Sequence, residues 1–100
     1  MSKFVLSPYA QNDFREIKSY YIREAGREVA QMMLAELRQA IRDLADRPGI
    51  GHKRTDLAAD DILFWPVRSY LIVYRRQPKR IEIVGVLHGA RDIPSILPYR

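Results

Sequence analysis

The side chains here that could do chemistry are two imidazoles, a scatter of arginines and one adjacent carboxylate pair. His52 and His88 lie far apart in sequence, and the chain has no cysteine. No His-x-x-x-His or His-x-x-Glu spacing sets ligands on one helix face, so no transition-metal ligand set is predicted. The phosphate-loop, dinucleotide and nucleophile-elbow patterns are absent. Gly49-Ile50-Gly51 follows a helix rather than a strand and reads as a flexible connection. Asp60 and Asp61 are neighbours in a loop, point different ways and suit a turn better than a shared acid–base pair. What remains is metal-free chemistry on an anion, above all RNA cleavage. That needs an acid or base near a 2′-hydroxyl and cations against the phosphate. The candidates are His88, Arg68, Arg75, Arg91 and the tyrosines. Each has a structural alternative. His88, before Gly89, can be an exposed site or a hydrogen-bonded imidazole at a strand end. Tyr70 and Tyr74 share a strand face by parity, as packing residues or base-stacking platforms. Trp65 reads as a packing anchor.

The elements that position these residues follow from a chain of 100 residues carrying 17 Lys+Arg, 12 Asp+Glu and a net charge of +5. That length supports one domain, residues 1–100. Hydrophobic residues at 47%, spread along the chain, exclude a disordered tail. No apolar run reaches the ~18 residues of a membrane span, and the start lacks a signal-peptide pattern. The lack of cysteine suits a reducing cytoplasm. The basic balance favours an anionic partner, with ordinary solubility as the alternative reading. Arg75-Arg76, Lys79-Arg80 and Lys53-Arg54 sit in separate segments, so folding must assemble any patch.

Phe4-Val5-Leu6 predicts a first strand. Ser7-Pro8 predicts a helix start, with Ser as N-cap and Pro at the first position. Ala10, Phe14, Ile17 and Tyr21 form one helical face. Asp13 and Glu16 early and Lys18 and Arg23 late complement the dipole. Gly26 is expected as a left-handed cap. The stretch Arg27 to Asp46 has no Gly or Pro, and Ala30, Met33, Leu34, Leu37, Ala40, Ile41 and Leu44 repeat at three and four. Arg47-Pro48-Gly49 stops that second helix. The short link implies an antiparallel hairpin. Residues 49–61 read as loop. Residues 62–67, 70–74 and 81–87 then form an antiparallel meander, with Pro66 marking an edge or an end. The tail has room for one helical turn around Pro94. The fold class is α+β, ordered β-α-α-β-β-β, with the hairpin on one face of a mainly antiparallel four-stranded sheet. The other face is expected to be open or covered by a partner.

This order, with Tyr70-Leu71-Ile72-Val73-Tyr74-Arg75 and Val86-Leu87-His88-Gly89-Ala90-Arg91-Asp92-Ile93, resembles the RelE/ParE superfamily of type II toxins, in particular its ParE branch. Leu6 to Phe14 and Asp46 to Gly51 are similar to that family's start and its helix-to-loop junction. The resemblance implies a toxin paired with a flexible, acidic-leaning ParD-like antitoxin in a hetero-oligomer, with no cofactor and no membrane partner. In the ParE branch the target is DNA gyrase; the alternative is a RelE-like ribosome-dependent mRNA endonuclease, and a third is an inactive member. RNA-cleaving relatives commonly carry arginines near Leu71 and Gly89 and a tyrosine near Ser95. This chain lacks them there, which favours gyrase and assigns no catalytic residue. The expected target-binding residues are Arg68, His88, Arg91 and Arg75, the first three clustered by the meander's register and Arg75 apart with Arg76 and Arg80. Tyr9, Tyr20 and Trp65 are the expected antitoxin-binding residues.

Overall fold

The computed structural model describes residues 3–59 and 61–100. Asp60 of the carboxylate pair, and Met1 and Ser2, lie outside the described residues. The elements are β1 (Phe4–Leu6), α1 (Pro8–Ala25), α2 (Arg27–Asp46), a 3-10 turn (Pro48–Ile50), β2 (His52–Lys53), β3 (Ile62–Val67), β4 (Tyr70–Arg76), β5 (Ile81–His88), α3 (Ile93–Ile96) and a last 3-10 turn (Leu97–Tyr99).

Ser7 caps α1, its hydroxyl accepting from the Ala10 N–H at 3.0 Å, and Pro8 sits in the first turn. Gly26 alone joins the helices. Its φ of 91° is positive as expected, but ψ is 168°, so it is an extended kink rather than a left-handed helical cap. An L side chain rarely adopts that geometry, which makes glycine the fitting residue there.

The sheet has five strands in the order β1-β5-β4-β3-β2, one more than expected. The additional β2 is two residues long, pairing His52 with Phe64 and Lys53 with Leu63. Pro66 lies beyond that pairing, where its missing N–H costs no ladder bond. β1 runs parallel to β5 and the remaining pairs are antiparallel. Val73 faces Gly85 and Tyr74 faces Ile83, so Val84 is a bulge on β5. That extra residue breaks the alternation of the last strand.

Two apolar layers flank the sheet. Leu37, Ile41 and Leu44 of α2 meet Ile72, Tyr74 and Ile83 on one side. Leu37 is fully buried. Leu37→Ala should therefore lower the unfolding free energy by about 2–5 kcal/mol, a large share of the ~5–15 kcal/mol of a typical domain. Urea denaturation checks this, and an unchanged midpoint would refute the packing. The second face is not left open. Phe64, Val73, Val84 and Leu87 are covered by Ile93, with Leu57, Ile96 and Leu97 packed around them. The chain's own loop and tail fill much of the place that was expected to be open or a partner's.

Tyr74 ties the end of the helix hairpin to the sheet. Its hydroxyl donates to the Pro48 carbonyl at 2.7 Å and accepts from the Gly51 N–H at 3.0 Å. A Cβ on Gly51 would collide with that hydroxyl. Burial keeps the Tyr74 proton on and raises its pKa above the ordinary value. The unfolded chain releases that proton near pH ~10 while the folded chain holds it. Stability is thus full below pH ~10 and falls as pH rises toward the folded pKa. Tyr74→Phe should make this alkaline fall shallower and cost about 1–3 kcal/mol at neutral pH. Denaturation at neutral pH and near pH ~11 tests it; an equally steep fall in the variant would contradict it.

Candidate functional site

The register of the β3–β4 hairpin sets the site. Val67 pairs with Tyr70 and Tyr70 with His88, so the hairpin tip and the end of β5 meet. The Gly89 N–H donates to the Ser69 carbonyl at 2.8 Å and holds them together. Arg68 and Ser69 are the two tip residues. Arg68 has φ +53°, a strained value for a residue with a Cβ, though a tight two-residue hairpin calls for it.

The expected clustering holds for His88 and Arg91 but not for Arg68. His88 and Arg91 line a shallow pocket of ≈ 160 Å³ with Asp13, Glu16, Tyr20 and Tyr70. Arg68 stands outside it and turns to α2, where its Nη2 donates to Glu36 Oε1 at 2.9 Å and its Nε donates to Oε2. The guanidinium hydrogen bonds hold the Glu36 carboxyl below its usual range. Glu36 is thus the anchor of the hairpin tip.

The pocket wall is aromatic. The Tyr70 and His88 rings meet edge to face at 5.4 Å, and Tyr20 and Tyr21 do so at 5.1 Å. Burial, then the neighbouring Tyr21 hydroxyl, pushes the Tyr70 hydroxyl well above its ordinary pKa, so it stays protonated and cannot serve as a base near neutrality. Tyr70 and Tyr74 both face the helix layer, as their parity implied. His88 Nδ1 accepts from the Ala90 N–H at 3.1 Å, which leaves Nε2 as the nitrogen carrying the proton of the neutral ring. His88 is therefore both exposed and hydrogen-bonded. Arg91 does not pair with Asp92; the Asp92 carboxylate accepts from the Ser95 hydroxyl at 2.7 Å. Among the described residues Arg91 forms no ion pair.

Arg75 lies at the other end of β4 and pairs with Glu82 at 3.5 Å. Tyr9 and Tyr20 are about half exposed on α1. Their spacing puts them on one helix face, three turns apart. Trp65 is separate from both: it sits on β3, stacked at 5.6 Å on His52, whereas α1 lies over β5. The three expected antitoxin residues therefore do not form one patch.

Asp13 carries the part of this end that sequence reasoning missed. Its place early in α1 predicts only a partner for the helix dipole. It is instead 4% exposed and accepts from the Val86 N–H at 2.9 Å and from both Arg100 Nη atoms at 2.6 and 3.1 Å. Arg100 also lies over the Tyr9 ring at 5.2 Å and crosses Gly85, where any Cβ would collide with it.

A helix hairpin on a mainly antiparallel sheet, with cations and aromatics at the hairpin-tip end, is the layered α+β architecture that the resemblance implied. The chain matches the model of the ParE toxin of the type II toxin–antitoxin system, parDE, over residues 4–93, and it belongs to that family. A chain from the chromosomal ParDE toxin–antitoxin system of P. aeruginosa has the same fold, with a TM-score of 0.76 at 16% identity, covering 88% of this chain and 96% of that one. No curated protein sequence matches.

Proposed function

We propose that this chain is a toxin that inhibits DNA gyrase in the cytoplasm and is neutralised by a ParD-like antitoxin in a hetero-oligomeric complex. The observation that carries the reading is the family match over residues 4–93. The placement of the nuclease-associated positions supports it. Leu71 packs on the second apolar layer and the Ser95 hydroxyl is taken by Asp92, so neither is set to clamp or protonate a phosphate. His88, Arg91 and the neighbouring Arg68 then form the target-binding end. Tyr9 and Tyr20 on α1, with Trp65 apart, offer apolar surface to the antitoxin. An acidic antitoxin segment would gain orientation and association rate from the basic toxin.

Expression in a sensitive bacterial strain tests this. Filamentation with an SOS response, relieved by co-expressed antitoxin, is the expected result. Rapid loss of translation with cleaved transcripts would replace it with the RelE-like reading, and unimpaired growth would leave an inactive member.

A further inference from the structure

We propose that the β4–β5 turn end of the molecule binds the phosphate backbone of double-stranded DNA. Three backbone segments meet there. The Ile81 N–H donates to the Lys3 carbonyl at 2.9 Å, Arg76 pairs with Ile81, and the Gln77 N–H closes the turn on the Arg80 carbonyl at 2.9 Å. Residues remote in sequence thereby bring Lys3, Arg76, Lys79 and Arg80 around one pocket of ≈ 310 Å³ whose lining holds no acid. The two carboxylates nearby are engaged: Asp46 with Lys3 at 3.0 Å and Glu82 with Arg75 at 3.5 Å. Among the described residues Arg76, Lys79 and Arg80 form no ion pair. The Lys3–Asp46 pair is solvent-exposed and holds Lys3 only weakly.

The chemistry of the lining selects the partner. Protein interfaces centre on a buried aromatic or aliphatic anchor. This pocket offers two prolines, Ala45 and the backbone-paired Ile81, and no aromatic ring. Single strands gain affinity by stacking bases on aromatics, which are missing here. Duplex RNA is recognised by its shape and by contacts to its 2′-hydroxyls and phosphates, and Gln77 is the one lining side chain able to accept a hydrogen bond from a hydroxyl. Clustered cations in a polar concavity, Arg76, Lys79 and Arg80 without an ion pair among the described residues, suit the dense phosphates of a DNA duplex, without reading sequence. This surface lies at the opposite end of β4 from the His88–Arg91 pocket, so it stands whether or not gyrase is the target.

Fluorescence anisotropy with a labelled random-sequence DNA duplex tests it across a salt series. The wild-type chain should bind with a steep salt dependence. Arg76→Ala/Lys79→Ala/Arg80→Ala should weaken binding tenfold or more and flatten the log–log salt slope by roughly 2 to 3. Its melting temperature should be unchanged, because all three side chains are exposed. Arg68→Ala/Arg91→Ala should keep the wild-type slope. Absence of wild-type binding, or an unchanged slope in the triple variant, overturns the proposal. So does tighter binding of an RNA duplex, or displacement by polyglutamate as effective as by unlabelled duplex at equal charge; the latter would assign the surface to an acidic protein.

Discussion

Arg100→Ala should be among the most destabilising single substitutions in this protein, lowering the unfolding free energy by about 3–5 kcal/mol. The side chain crosses the outer edge of β5 to reach Asp13, and the two are 10% and 4% exposed. β1 covers that edge only as far as Ile83, after which Ser7 takes the Val84 carbonyl and Asp13 takes the Val86 N–H. A carboxylate thus stands where the next strand would be, and Arg100 neutralises it. Truncating Arg100 leaves a buried anion with one backbone donor. Truncating Asp13 leaves a buried cation and an unpaired Val86 N–H. Each single variant strands a charge, so Asp13→Ala/Arg100→Ala should cost less than the sum of the two. Urea denaturation of the three variants measures the coupling. A loss below about 1 kcal/mol for Arg100→Ala, or strict additivity, would mean that the pair is not held in this geometry.

That clamp also shows where the sequence stops being informative. A helix that repeats at three and four over Arg27 to Asp46 announces its buried face, and every one of its expected core positions except the half-buried Ala40 is buried. The meander register follows from a two-residue turn, so the meeting of Arg68 with the end of β5 could be read before the fold was known. The Asp13–Arg100 pair spans nearly the whole chain through side chains alone, and no periodicity encodes it. β2 is too short to show alternation. Other features left a trace. Gly85 inside an apolar strand signals a bulge or a close approach, and both occur there. The helical turn expected around Pro94 forms as α3, and the helical spacing of Ile93, Ile96 and Leu97 is the trace of the apolar stripe that closes the second face of the sheet.

Arg91→Ala should reduce growth inhibition more than Arg68→Ala does, although both cations stand at the same end of the molecule. The difference lies in their present partners. Arg68 is engaged in a two-pronged bond with Glu36 and holds the hairpin tip against α2. Its guanidinium must leave that carboxylate before it can meet a target. Arg91 makes no ion pair with a described residue and already lines the pocket beside His88 and Tyr20. A charged hydrogen bond at an interface contributes about 1.5–3 kcal/mol, and ~1.4 kcal/mol is tenfold in affinity. Loss of Arg91 should therefore weaken target binding by roughly tenfold or more. Arg91→Ala/His88→Ala should lower it further by removing the imidazole edge beside Tyr70. Glu36→Gln separates the tether from the proposed target-binding role of Arg68. It weakens the tether without touching the cation, so it should leave toxicity intact or raise it, while Arg68→Ala lowers it. Titrated expression of the toxin, with antitoxin affinity measured in parallel as a control for folding, ranks the variants. Equal toxicity of Arg91→Ala and the wild-type chain, at equal antitoxin affinity, would move the target-binding surface away from this end.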